Sequence, residues 1–576
     1  MLMNKIKYFI FNLNIVAVLF LFPLTLMASE VQDRDALALD KLIYLEQNWN
    51  DKDREWFYFI DQGSRLIPYR IFINLEQADN DDLLSDSFNL LKYGFLPAKK
   101  SKKNPDGLPV GFTHADNFLG LNCAACHTQQ IKYQDKFIRI DGGQAMMDLP
   151  LFLSAIEESM QATLDDVEKY NRFEKRVLGD KPSDKQKESL KQEFNEHLAA
   201  RKRDNRRNHS DVPNGYSRLD AFGAILNKGL LLTGVKDNFN SPDAPTSFPY
   251  IWDSQQHDYV EWNGSQSNSD IGTLARNVGE VIGVFGDVEP VTKKWLFFID
   301  GGYPSSIQAK NLRDMEKKVA TLYSPLWPDF FPKIDQEKAK KGRELYKQYC
   351  LSCHQDINRT DPNRKIKTRM STLDAIQTDP WMARNAIFQR GKTGIFEGKP
   401  RFYTVGDIMG EEEPALYVVN NLMGGVLKNN PIQSLLAIRD AKKMGHPEEI
   451  HPPKYVDGEF IERGQEVSEK ALLAYKARPL NGIWTGGPFL HNGAVPNLYE
   501  LLLPAEQRSK SFYIGSWDFD PVKVGYVDEE RPGSFYFDTT LKGNSNAGHE
   551  YGTGYDDLPV LTDDDRWALV EYMKTL

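Results

Sequence analysis

Four cysteines occur in the chain, and all four fall in two copies of one pattern, Cys123-Ala-Ala-Cys126-His127 and Cys350-Leu-Ser-Cys353-His354. Thiols three residues apart on a helical turn share a face, so both can form thioether links to the vinyl groups of a single porphyrin. The histidine that follows then falls beneath the ring and offers an imidazole nitrogen to iron. Zinc could use Cys-x-x-Cys pairs, but it gives no reason for a histidine directly after each. A redox dithiol needs one pair, near a βαβ pattern. Chance yields one such pentapeptide with odds of roughly one in a few thousand, and two far more rarely. The spacing therefore predicts two covalently bound haem c groups, one at Cys123, Cys126 and His127 and one at Cys350, Cys353 and His354.

Other elements must position these motifs. Residues Glu337 to Tyr349 predict a helix, with Gly342, Leu345, Tyr346 and Tyr349 on one face and charges on the other. The chain ends with Thr562-Asp-Asp-Asp565, a capping-box start, and then Leu569, Val570, Met573 and Leu576 on one stripe. A helix before the second motif and another at the end of its domain would cross beside the haem, which sets a domain over about 335–576. Residues 168–210 are dense in charge and read as a solvated helical excursion, with docking of an electron-transfer partner as the alternative. Residues 233–270 and 505–560 are rich in Gly, Pro, Asn, Ser and Asp, and read as long ordered loops of the kind that wall a cofactor pocket.

At the front, Lys5 and Lys7 precede a mostly apolar run from Tyr8 to Met27 and an imperfect cleavage site at Leu26 to Glu30. That is the layout of a secretory signal peptide, taken as residues 1–28, with an uncleaved anchor as the rival. No second apolar run of spanning length follows, so no stable membrane span is expected in the mature protein, which would be periplasmic or secreted. A formal charge of −10 argues against a nucleic-acid partner, because phosphate binding needs an excess of Lys and Arg on one face.

Several further stretches resemble a known group. They are Arg139-Ile-Asp-Gly-Gly143, Ser217-Arg-Leu-Asp-Ala-Phe222, Asp243-Ala-Pro-Thr-Ser-Phe-Pro-Tyr-Ile-Trp252 and Leu274-Ala-Arg-Asn-Val-Gly-Glu280, followed by Arg478-Pro-Leu-Asn-Gly-Ile-Trp484, Phe489-Leu-His-Asn-Gly-Ala-Val-Pro496, Phe519-Asp-Pro-Val-Lys-Val-Gly525 and Gly543-Asn-Ser-Asn-Ala-Gly-His549. With the first haem motif, this series resembles the di-haem cytochrome c peroxidase superfamily, and within it the rubber oxygenase branch. The resemblance implies a mainly α fold with long ordered loops, in which two cytochrome c-type haem domains (111–334 and 335–576) follow an N-terminal extension (29–110). It also implies that one iron stores electrons between two protein ligands while the other, with an open sixth position, is the reaction centre.

By the same likeness His491 matches the second axial histidine of the C-terminal haem. The Pro- and Gly-flanked loop 486–496 would hold it rigidly, the alternative being a histidine that only hydrogen-bonds within its loop. Phe222 would lie over the open face of the N-terminal haem, or serve as an ordinary core residue. Glu280 stands where the peroxidases place a proton-shuttling glutamate, its alternative being a helix-surface carboxylate. His549 is a lesser candidate for supporting a ligand, and His114, His197, His209, His257, His446 and His451 read mostly as surface or structural. No tryptophan stands between Trp56 and Trp252, so Tyr216 or Trp252 would replace the inter-haem tryptophan of the superfamily.

Three functions follow. One is a peroxidase that takes electrons from a small redox protein and reduces hydrogen peroxide. Another is an oxygenase that uses dioxygen to cleave an apolar polyisoprenoid. The third is a plain di-haem electron carrier.

Overall fold

The computed structural model describes residues 39–292, 294–295, 299–445, 455–456, 459–460, 473–554 and 556–576. The signal-peptide segment, His446 and His451 lie outside the described residues. The fold is not mainly α. About 39% of the structure is helix and 15% is strand, the strands forming small two- and three-stranded sheets spread along the chain. Part of this strand content lies in the stretches expected to be loops: Ser511–Ile514 pairs with Phe535–Asp538, and Tyr259–Val260 with Gln266–Ser267. The physical reason is backbone satisfaction, since a loop buried against a large core must pair its N–H and C=O groups somewhere, and two- to four-residue ladders do so.

The first motif sits between two such sheets. Phe118–Leu121 pairs antiparallel with Phe112–Ala115 and with Ile67–Pro68 on its other side. After the one-turn helix Cys123–Cys126, strand Thr128–Tyr133 turns back at Gln134 and Asp135 into Lys136–Asp141, which also pairs in parallel with Leu42–Tyr44. The residues before 110 clamp this hairpin. Asp141 is buried and accepts from Arg54 Nε at 2.7 Å and Tyr58 Oη at 2.5 Å. Asn122, whose carbonyl oxygen Oδ1 caps the motif helix at Ala124 N, donates Nδ2 to the carbonyls of Phe57, Tyr58 and Ile60.

The charged run forms two helices, Val167–Leu178 and Asp184–Arg207, after the apolar helix Leu149–Asp165. Phe173, Leu190, Phe194 and Leu198 are buried against Phe152, Ile156 and Met160, while most of the charged side chains stay exposed. A second helical layer comprises Ala221–Leu231, Gly272–Gly283 and Ala415–Asn429, which approach closely where Gly229 faces Val419 and Gly279 faces Met423. Helix Gln336–Tyr349, capped by Asp335, leads directly into the second motif, and Asp563–Met573, with the Thr562/Asp565 capping box, crosses it. The boundary expected at 334/335 is bridged by the core, whose largest apolar cluster runs from Trp49 to Met573, and by a buried ion pair of Arg364 with Asp253 at 2.6 Å. No helix among the described residues is long and apolar enough to cross a membrane.

The crossing beside the second motif depends on Gly342. A Cβ there would lie 1.9 Å from the Ala568 carbonyl oxygen and 2.8 Å from the Tyr572 Cβ. Gly342→Ala should lower unfolding free energy by about 1–3 kcal/mol through overpacking, read from denaturant midpoints, whereas Ala at Gly410, whose backbone is not left-handed and whose nearest neighbour is a Glu413 carboxylate oxygen at 3.4 Å, should not.

Candidate functional site

Residues His127 and His354 are held in the same way. His127 Nδ1 lies 2.7 Å from the Pro249 carbonyl oxygen, and His354 Nδ1 lies 2.7 Å from that of Arg478. A carbonyl only accepts, so each Nδ1 carries the proton and each Nε2 keeps its lone pair for a metal. Burial holds both rings neutral by lowering their pKa, that of His127 to about 4. Burial also raises the Cys126 and Cys350 thiols to about 12, and Cys123 is raised as well, so thiolate chemistry is disfavoured at these three sulfurs.

Beside His127 opens a cavity of about 730 Å³, lined by both cysteines of the first motif, by Phe222 and Glu280, and by Arg276, Lys476 and Arg478. Phe222 is in the first turn of helix Ala221–Leu231, which is capped by Asp220; the Asp220 carboxylate accepts from Gly223 N at 2.7 Å and from Ala244 N at 3.0 Å. Its ring packs with Ala244, Met382, Ala383 and Tyr475 while lining the cavity. Glu280 is one turn beyond Arg276 on helix Gly272–Gly283, with 3.8 Å between carboxylate and guanidinium. Arg276 is committed instead to Glu316 at 2.7 Å. Desolvation, helped by Glu261 and Glu316 and opposed by Arg276, lifts the Glu280 carboxyl well above the usual range, so it can hold a proton near neutral pH. The cavity reaches a rim that includes Leu151, 47% exposed, and His209.

At the second motif the imidazole facing His354 is that of His549, with ring centroids 6.1 Å apart and planes at 55°. Two imidazoles bound through Nε2 to one iron, at about 2 Å each, would have centroids at about this spacing. Local structure fixes His549 in place. Its backbone is left-handed at φ 51°, and the preceding Gly548, at φ 73°, packs where a Cβ would lie 2.3 Å from the Gln377 carbonyl carbon. The buried Arg508 donates to the carbonyls of Asn546 at 2.5 Å and Gly548 at 2.9 Å. Burial and the neighbouring His354 keep His549 neutral, at about 3.

His491 is buried elsewhere. Its ring stacks on Tyr475 at 4.0 Å and lies edge-on to Trp262 at 6.4 Å, and its Nε2 has no partner among the described residues. The structure thus brings Cys123, Cys126, His127, Phe222 and Glu280 to one cavity, and His354 to His549 rather than to His491. The signal for His549 was its Gly-rich loop ending in histidine, equal in kind to the loop carrying His491, and sequence alone does not rank them. Of the inter-site candidates, Tyr216 lines the cavity and bonds the Lys92 carbonyl at 2.8 Å, whereas Trp252 stacks on Tyr250 at 4.4 Å.

Haem c fits this donor set. Lys476 and Arg478 sit deep, lower in pKa than usual through burial, and face the cavity with no carboxylate partner among the described residues. The buried Arg478 Nε has no hydrogen-bond partner among the described residues. Unpaired cations at such depth are costly, and the porphyrin propionates would supply the missing anions. Tetrahedral zinc is a poorer fit, since no set of three or more His, Cys, Asp or Glu gathers as a metal site among the described residues.

Comparison with known proteins agrees. Residues 474–513 match the family described as RoxA-like, cytochrome c-like. That match supports a relationship to RoxA-like di-haem cytochromes and implies haem c. The chain is 30% identical to "uncharacterized protein y4iJ" of Sinorhizobium fredii over 94% of each chain. It is 25% identical to y4iM of the same organism, over 63% of this chain and 73% of the other.

For haem held at the second motif, His549→Ala should convert a six-coordinate low-spin spectrum into one that binds added imidazole. His491→Ala should leave that spectrum unchanged. Absorption and electron paramagnetic resonance spectra of the two variants check this, and the reverse pattern would restore His491 as the ligand.

Proposed function

The chain belongs to the same family as y4iJ, and from that premise we propose that it is an exported di-haem c-type cytochrome oxidoreductase in the di-haem cytochrome c peroxidase superfamily. In this reading the first motif holds the haem that reacts with peroxide or dioxygen, and the second holds the haem that exchanges electrons with a small redox protein. The observation that carries the reading is an asymmetry. His354 has an imidazole opposite it at 6.1 Å, whereas His127 faces the large cavity and makes no ring contact among the described residues. The first haem would itself fill part of that cavity, so what sets this site apart from a pure electron carrier's is the lack of an opposing imidazole among the described residues.

Bound at the first motif, the haem would supply a redox iron able to bind and reduce an oxygen species. The protein's own residues do the rest. Pro249 orients His127 through Nδ1, and Lys476 and Arg478 are the cations available to the propionates. Glu280 holds a proton at its carboxyl that it can give to one peroxide oxygen and recover from the other. Those features support peroxide as oxidant. The second reading, dioxygen-dependent cleavage of an apolar polyisoprenoid, is favoured by Phe222, Phe248, Leu149 and Leu153 along the same cavity, which suit an apolar chain better than a small polar oxidant. The cavity's rim gives that chain an entrance. The expected home of the mature protein is the periplasm or the medium.

Steady-state turnover with hydrogen peroxide and a reduced donor protein, beside oxygen uptake with a polyisoprene emulsion, separates the two. Under the peroxidase reading Glu280→Gln lowers peroxide turnover about 10²-fold or more. An oxygenase would instead consume oxygen with the emulsion and lose little on that substitution. Absence of both activities in fully haem-loaded protein would leave electron transfer alone.

A further inference from the structure

Between the two motifs, one residue touches the supports of both histidines. The backbone carbonyl of Arg478 accepts from His354 Nδ1 at 2.7 Å. The side chain of the same residue donates Nη2 to the Tyr250 carbonyl at 2.7 Å, one peptide beyond the Pro249 carbonyl that holds His127. Its guanidinium also lies 3.4 Å from the centre of the Tyr250 ring, on which Trp252 stacks at 4.4 Å and 13°. The segment after Arg478 closes the clamp, because Tyr250 Oη donates to the Pro479 carbonyl and Trp252 Nε1 to the Asn481 carbonyl, each at 2.8 Å. Tyr250 and Trp252 are buried, so the contact is shielded from water.

We propose that Arg478 couples the two haem sites, acting as a positioning residue through its own carbonyl, which holds His354, and through the Tyr250 carbonyl, one peptide beyond the carbonyl that holds His127. This rests on the two-haem reading above. Electronic coupling falls off less steeply along covalent and hydrogen bonds than across a gap, and the path His354, Arg478, Tyr250, Pro249, His127 contains only such bonds. One electron travels it in each transfer, the second site being oxidised as the first is reduced, and a one-electron donor protein restores the second. No proton or bond changes hands. The guanidinium also places a positive charge against the first cavity, where it favours the reduced state. Lys476 shares that electrostatic role but bonds the Tyr259 carbonyl and, among the described residues, makes no contact with the Tyr250–Pro249 segment or with His354, which makes it the natural control.

The test uses full-length, haem-loaded protein with Arg478→Lys, Arg478→Gln and Lys476→Gln. Haem is counted first, each site's midpoint potential is titrated spectroelectrochemically, and inter-site electron transfer is timed after photolysis of carbon monoxide from half-reduced protein. Arg478→Lys keeps the charge and loses the fork, so the first-site potential stays near that of the unaltered protein while transfer slows about ten-fold or more. Arg478→Gln lowers the first-site potential and slows transfer as well. Lys476→Gln lowers that potential and changes the transfer rate only as far as the altered driving force accounts for. Transfer at the unaltered rate in Arg478→Lys, or equal slowing in Lys476→Gln, would overturn the proposal. One haem per chain in the unaltered protein would instead overturn the two-haem reading beneath it.

Discussion

The hydrogen bond from each motif histidine to a distant backbone carbonyl is what the rest of the structure serves. Pro249 is 122 residues from His127, and Arg478 is 124 residues from His354. Neither imidazole can therefore point its free nitrogen correctly from local sequence alone, because a free ring would rotate and choose its tautomer with solvent. The carbonyls are fixed in turn by Tyr250 and Trp252, which bond to Pro479 and Asn481. These partners fall inside the stretch 474–513 that matches the RoxA-like cytochrome description, which gives that short match a structural meaning.

From this shared arrangement the two sites diverge through their opposite walls. At His354 a glycine-dependent loop, latched by the carbonyl bonds of Arg508, delivers His549. At His127 the opposite wall is built from helices Ala221–Leu231 and Gly272–Gly283, which contribute Phe222 and Glu280 and leave space between them.

The four cysteines and the histidine after each pair were legible in the sequence as candidate haem-binding residues, because Cys-x-x-Cys-His points to that chemistry by spacing alone. Helix Gln336–Tyr349 and the capping box at Thr562 were legible too, since their signals are periodic and local. The strands were not. Hairpin Thr128–Tyr133 with Lys136–Asp141 has buried residues on both faces near its start, so its sequence shows little alternation, and the resemblance to helical haem domains pointed away from it. His549 and Arg478 were missed as principal residues for a different reason. A histidine delivered by a loop and a side chain that links two segments are defined by tertiary contacts, and neither carries a periodic or spacing signature.

The most direct measurement is a carbon monoxide titration of the fully reduced protein, isolated from a host competent in cytochrome maturation, with haem quantified on the same sample. Two haems per chain with one carbon monoxide bound is the expected result, because His549 closes one site and nothing among the described residues closes the other. Two molecules bound, none bound, or a single haem per chain would contradict it.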